Sequence, residues 1–177
     1  MMKEIIMITG ASSGMGREFA MQIEKKYQVD EIWVIARRKE RLESLKERLQ
    51  TKVRIFALDL TQKESFEIIQ EALFQEKPRV KALINCSGYG KLDHYENMSL
   101  ETIENMMNLN MLAVVKMVNS VLPYMHKKSS IVNLASCSGY MPIPYLNIYA
   151  STKAFVLSYS RALNEELKYR QIHVLAI

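Results

Sequence analysis

Tyr149 and Lys153 stand four residues apart. On a helix that spacing puts both side chains on one face, one turn above the other. A free tyrosine, with a pKa of about 10, is a poor acid or base at neutral pH. An ammonium within a few ångströms favours the phenolate and brings proton transfer toward the working range. Ser136, 13 residues earlier, closes the run Asn133-Leu134-Ala135 and offers a hydroxyl that can polarise a carbonyl. Ser138 is a second hydroxyl that could line the same site instead.

Near the amino terminus, Thr9-Gly10-Ala11-Ser12-Ser13-Gly14-Met15-Gly16 follows an apolar run and opens a helical pattern. Glycines there permit a tight turn and close backbone approach, so that amide groups can face a pyrophosphate. The spacing is G-x-x-x-G-x-G, not the more familiar G-x-G-x-x-G. A second apolar run ends at Val34-Ile35-Ala36, where an NAD site would carry a carboxylate for the adenosine ribose; here Arg37-Arg38 follow at once. With no carboxylate to repel a 2′-phosphate and a guanidinium fork to bind it, NADP(H) is favoured over NAD(H). Arg37, nearest the strand end, is the better candidate. Asp59 ends a third run and suits either a hydrogen bond from an adenine amino group or a helix cap.

The elements that must position these residues alternate between short apolar runs and segments of helical period. Strands are expected at about 4 to 9, 31 to 36, 53 to 58, 80 to 85, 130 to 135 and 172 to 177. Met15, Phe19 and Ile23 form one helical stripe, Leu42, Leu45 and Leu49 a second, and Phe66, Ile69 and Leu73 a third. Long helices are expected at about 101 to 126 and 148 to 170, their many methionines serving as core or interface filler. No repeat or Gly/Ser linker divides residues 1–177, so one domain is expected. The pattern predicts a doubly wound, Rossmann-like parallel sheet in three α/β/α layers, strand order 3-2-1-4-5-6, with ligands outside the carboxyl ends of the strands.

Composition narrows the classes further. Of 177 residues, 49% are hydrophobic and 24% charged, which excludes disordered and collagen-like chains. The net charge of +5 is spread among acids, as in Lys39-Glu40-Arg41, so no nucleic-acid partner is expected. The longest apolar runs, Ile32 to Ala36 and Met111 to Val115, fall far short of the roughly 20 residues a membrane helix needs. Cys86 and Cys137 have neither CxxC spacing nor a neighbouring His, so no metal site or disulfide framework is indicated and a cytoplasmic setting is expected. They read as small packing residues, with a redox-sensitive pair as the alternative.

The conjunction of Thr9 to Gly16, Asp59, the turn Asn85-Cys86-Ser87-Gly88, Asn110, Ser136 and the Tyr149/Lys153 pair, all in this order, resembles the short-chain dehydrogenase/reductase superfamily in its compact, one-domain NADP(H)-type branch. The resemblance covers Lys3 to Ile177. It implies a catalytic tetrad of Asn110, Ser136, Tyr149 and Lys153 and transfer of a hydride between nicotinamide and a small-molecule carbonyl or secondary alcohol. Tyr149 would exchange the proton on oxygen and Ser136 would hold the carbonyl oxygen. Lys153 would bind the nicotinamide ribose, and Asn110 would hold a water joining Lys153 to solvent. It also implies cofactor contacts from Gly10, Ser12, Ser13, Gly14, Met15, Gly16, Arg37, Asp59, Leu60, Asn85, Gly88, Tyr149 and Lys153, and no metal.

Two features depart from the family pattern. Cys86 stands where a second Asn is usual, and the sequence stops inside strand six, before the usual substrate-covering loop and seventh strand. The chain is therefore expected to be a fragment of a longer enzyme. By the same resemblance, the helices at 101 to 126 and 148 to 170 would pair across a two-fold axis in a homodimer or homotetramer. The apolar, twice-proline segment Tyr140 to Leu146 points to a hydrophobic substrate. The alternative function is a nucleotide-binding sensor or scaffold with the same fold and no turnover.

Overall fold

The computed structural model describes residues 2–177. Six parallel strands, β1 (Glu4–Thr9), β2 (Glu31–Ala36), β3 (Val53–Ala57), β4 (Arg79–Asn85), β5 (Met125–Asn133) and β6 (His173–Ala176), form one sheet in the order β3-β2-β1-β4-β5-β6. The helices are α1 (Gly14–Lys26), α2 (Lys39–Lys46), α3 (Lys63–Glu76), α4 (Leu100–Met107), α5 (Ala113–Val121) and α6 (Asn147–Leu167). Because helices cover both faces, strand residues of either parity are apolar; every residue of β2 is buried.

Alternation sorts the core into two layers. Ile6, Ile8, Ile32 and Val34 pack with Ala20 of α1 and with Leu42 and Leu45 of α2. Ile5, Met7, Trp33 and Ile35 face the other way, toward Ile69 and Leu73 of α3, Met117 and Val121 of α5, and Leu163 of α6. Each such aliphatic side chain withdrawn from water contributes roughly 1.5–3 kcal/mol. The chain winds outward from β1 to β3, then restarts at β4 and winds the other way. With right-handed connections this reversal puts α1 and α2 on one face and opens a crevice at the carboxyl ends of β1 and β4.

Two elements differ from the sequence pattern. The expected single helix over 101 to 126 is α4, a widened five-residue turn with i→i+5 bonding at Asn108–Leu112, and α5. It stops at Val121 because Pro123, lacking an N–H, allows only one tight turn, Leu122–Tyr124, before Met125 pairs with Val80. β5 thus begins five residues before the expected 130. Its polar start, His126-Lys127-Lys128, conceals it, and a register shift between Val80 and Ala82 absorbs a backbone excursion in which Lys128 adopts φ 68°.

The amino ends of β1 to β3 carry an ionic cluster centred on the buried Glu31. Glu31 accepts a hydrogen bond from the Trp33 indole N–H at 2.7 Å and pairs with Lys3 and, at 3.2 Å, with Lys52. Glu76 of α3 pairs with Lys3 at 2.7 Å and with Arg54, whose guanidinium lies 4.7 Å from the Trp33 ring centroid. Burial pushes the Glu31 carboxyl up, but the hydrogen bonds from Lys3, Trp33 and Lys52 outweigh it and hold the group below its ordinary value.

Candidate functional site

A cleft of about 330 Å³ opens at the carboxyl ends of β1, β2 and β4, between the glycine loop and the start of α6. Gly10 and Gly14 have φ of +68° and +55°, the left-handed region that favours glycine. A Cβ on Gly10 would lie 2.7 Å from the Cys86 carbonyl carbon, so the loop lies directly against the turn after β4. A Cβ on Gly14 would meet nothing within 4 Å, because that residue fronts open space. Ser13, which precedes α1, makes no side-chain cap bond, and no acid stands in the first turn, so the first amides of α1 are left for an anion.

Arg38 folds back onto this glycine loop. One terminal nitrogen of Arg38 donates to Ser12 Oγ at 3.0 Å and to Ser13 Oγ at 2.7 Å, leaving the rest of its guanidinium open to the cleft. Arg37 also lines the cleft but leans to Asp59, at 3.8 Å from Oδ2. Asp59 Oδ1 is occupied locally, accepting from Thr61 N at 2.9 Å and Thr61 Oγ1 at 2.8 Å in an Asx turn ahead of α3; Leu60 follows along the wall.

The reacting end of the cleft is built by α6 and by the turns after β4 and β5. Tyr149 and Lys153 both line the cleft, with the Lys153 Nζ 5.6 Å from the Tyr149 ring centroid. Lys153 is 4% exposed, and its ammonium donates to the Leu134 carbonyl at 2.6 Å. Burial pushes it down to about 8, opposed by nearby Cys86, whose thiol burial pushes up to about 12. A lysine near 8 exchanges its proton readily at physiological pH.

Ser136 begins the short turn Cys137–Tyr140, which packs on α6. Its Oγ accepts from Ser138 N at 3.1 Å and from the Ser138 hydroxyl at 2.9 Å. Both acceptor positions are thereby filled, and the Ser136 proton is free to donate to an outside oxygen. Ser138 is 5% exposed and supports Ser136 from behind instead of lining the site.

Asn110 lies in the widened turn, 1% exposed, behind Gly88 and Lys153. Its Oδ1 accepts from Tyr89 N at 3.0 Å; its Nδ2 donates to Tyr89 O at 2.8 Å and to Thr152 Oγ1 at 3.1 Å. Asn85, expected to touch a cofactor, is turned away from the cleft: it is 2% exposed and its Nδ2 donates to Asn133 Oδ1 at 2.9 Å. Asn133 in turn donates to Ser160 Oγ at 2.9 Å, tying β4 and β5 to α6 beneath the site. Gly88 does line the cleft, as do Gly10, Ser12, Ser13, Gly14, Met15 and Gly16. The inward turn of Arg38 and the Tyr89, Thr152 and Asn133 links carry no motif signal of their own; strand alternation, extended to Asn85, would have pointed it inward.

Among the described residues there is no cluster of His, Cys, Asp and Glu that could hold a metal ion, and no helix is long and apolar enough to cross a membrane. The cleft fits a dinucleotide: a glycine cradle under the open space at Gly14, a donor set of Arg38, Ser12 and Ser13 at one end, and an ammonium with a phenol at the other.

Comparison with known proteins agrees with this geometry. Residues 4–177 match the family described as short chain dehydrogenase. The 3-ketodihydrosphingosine reductase of Bacteroides thetaiotaomicron is 34% identical over 169 residues, 94% of this chain and 60% of that protein. The very-long-chain 3-oxoacyl-CoA reductase of Mus musculus is 31% identical over 186 residues, 98% of this chain and 58% of that protein. The chain thus spans about three fifths of the length of these relatives. A short-chain dehydrogenase from Sphingobium yanoikuyae in complex with NADPH superposes with a TM-score of 0.86 at 31% identity, covering 98% of this chain and 69% of that one.

Proposed function

Since the chain belongs to the short chain dehydrogenase family, we propose that it is the cofactor-binding and proton-transfer part of an NADPH-dependent reductase of carbonyl compounds, and that a longer protein completes its substrate side. The observation that carries this reading is that Tyr149 and Lys153 line the same cleft as the glycine loop, with the ammonium buried. When bound, the cofactor supplies or takes up a hydride at its nicotinamide.

The chain's own residues do the rest. Gly10 to Gly16 and the first amides of α1 hold the pyrophosphate. Arg38 with Ser12 and Ser13 takes the adenosine 2′-phosphate, with Arg37 as a second cation, and this favours NADP(H) over NAD(H). Asp59 and Leu60 flank the adenine, and Lys153 holds the nicotinamide ribose. Ser136 donates a hydrogen bond to the carbonyl oxygen and keeps its proton. Tyr149 gives that oxygen its proton in reduction and removes it in oxidation. Asn110 acts from behind, through the backbone of Tyr89.

The substrate reading is a keto group on a long aliphatic chain; one of the two relatives is named a 3-ketodihydrosphingosine reductase and the other a very-long-chain 3-oxoacyl-CoA reductase. Supporting it, the loops at 90–95 and 140–146 join at the mouth: Asp93 N donates to Tyr145 O at 2.9 Å, and the His94 ring meets Tyr145 edge-on at 4.7 Å. They present Leu92, Tyr95, Met141 and Tyr145 to solvent. Exposed Met107, Leu112 and Phe155 on the helices support pairing as a homodimer or homotetramer, and two free cysteines suit a cytoplasmic setting.

The test is NADPH oxidation by the purified full-length protein with a panel of ketones of increasing chain length. Tyr149→Phe is expected to lower turnover by about a hundredfold or more with NADPH affinity retained. Arg38→Ala is expected to weaken NADPH by about ten- to a hundredfold but leave NADH unchanged, with Arg37→Ala milder. Tight NADPH binding with no hydride transfer from any variant or from the wild type would instead favour a nucleotide sensor.

A further inference from the structure

We infer that Thr152 is a positioning residue for the proton-transfer pair, tying Asn110 of the widened turn to the backbone of Tyr149; the inference rests on the functional reading above. Thr152 is 1% exposed and sits between the two reacting side chains in the sequence of α6. Its hydroxyl donates to the Tyr149 carbonyl at 2.7 Å. A buried helical threonine is often satisfied by such a back-bond alone. Here the oxygen also accepts from Asn110 Nδ2 at 3.1 Å, a bond that crosses from another element.

The Asn110 amide is fully committed inside the protein. Both Nδ2 hydrogens are donated, one to Tyr89 and one to Thr152, and Oδ1 accepts from Tyr89 N. It therefore acts through what it holds. Asparagine is a poor helix-interior residue, and the five-residue turn around it interrupts the i→i−4 ladder. A leucine there would suit the helix better, but could not make the link.

What the link joins are the three segments bearing the site. The first is the loop at 88–90, where Gly88 faces Asn110 and Lys153, and Gly90 lies against the Tyr149 ring. The second is the turn at 108–112, and the third is α6 itself. Tyr89 anchors the first segment further, its hydroxyl donating to Asn105 Oδ1 at 3.2 Å on α4. Without the Thr152 hydroxyl, one Asn110 hydrogen is buried without an acceptor and the Tyr149 carbonyl loses its extra donor. The turn of α6 that aims the phenol is then free to shift relative to the cleft.

The experiment compares Thr152→Val, which keeps the shape and loses the hydroxyl, with Thr152→Ser, which keeps the hydroxyl, and adds Asn110→Ala and the Asn110→Ala/Thr152→Val double variant. In the NADPH-dependent ketone assay, Thr152→Val is expected to lower kcat about tenfold or more and to displace the pH profile, with ketone KM and NADPH dissociation constant little changed. Thr152→Ser is expected to recover to within about threefold of wild type, and the double variant to be no worse than the poorer single one. Unchanged kcat and pH profile in Thr152→Val, equal damage in Thr152→Ser, or multiplying effects in the double variant would overturn the inference. Circular dichroism and urea midpoints establish that each variant folds. If the wild type reduces no ketone, the functional reading fails by itself. The link is then decided by the same four-protein cycle read in urea midpoints, where coupling sustains it and additivity overturns it.

Discussion

In Lys153→Met, an apolar chain of similar length replaces a lysine that is 4% exposed and whose ammonium is pushed from an ordinary 10.5 down to about 8 by burial and makes its hydrogen bond to a neutral carbonyl. Below pH 8 the folded protein holds the charged form and bears the full desolvation cost. Between pH 8 and 10.5 the unfolded chain keeps the proton and the folded one does not, so unfolding takes up a proton and stability rises with pH. At about 1.4 kcal/mol per pH unit, the window amounts to roughly 3 kcal/mol. Methionine removes that cost but leaves the Leu134 carbonyl without its donor, a loss of about 1 kcal/mol. Cofactor-free Lys153→Met is therefore expected to be about 2 kcal/mol more stable than wild type at pH 7, with the advantage shrinking steadily toward pH 10 and its ketone reduction lost. Urea titrations followed through Trp33 at several pH values measure this directly. Every other titrating group is common to the two proteins, and the Cys86 thiol, at about 12, stays protonated in the window. A variant less stable than wild type at pH 7, or a difference that does not change between pH 7 and 10, would refute the reasoning.

The cysteines give a second expectation. With its thiol pushed up to about 12, Cys86 should resist iodoacetamide at pH 8 by about a hundredfold or more relative to exposed Cys137 until urea unfolds the chain, as peptide mass analysis would show. Equal rates in the native protein would favour the redox-pair reading. In Gly90→Ala the new Cβ would lie 2.9 Å from Tyr149 Cδ2, so the ring must move. Turnover should fall about tenfold or more with a smaller change in NADPH affinity, and an unchanged kcat would show that the ring position is not critical.

The sheet was legible because its strands are apolar on both faces and its glycine loop and Tyr149/Lys153 spacing are local patterns. What escaped was whatever depends on side-chain direction across elements. Hydrophobic period alone cannot register a turn of i→i+5 bonding, so 108–112 reads as plain helix, and the apolar stripe runs on past Val121, where Pro123 ends the helix. Arg37 is nearer the strand end along the chain, yet Arg38 is the one that folds back onto Ser12 and Ser13. Asn85 sits in a motif that borders the cleft while its side chain serves the β4–β5 contact. The amide links of Asn110 and Asn133 join residues far apart in sequence and leave no local trace.

The Lys3–Glu31–Trp33–Arg54–Glu76 cluster grips the amino ends of the strands, whereas the glycine loop and Tyr149 occupy the opposite rim. A strand of five or six residues separates the two by about 17 Å, beyond the range at which substitutions usually influence one another. Substitutions in that far cluster can thus accumulate without disturbing the reacting groups, even though one of those groups, Lys153, carries its own cost in stability.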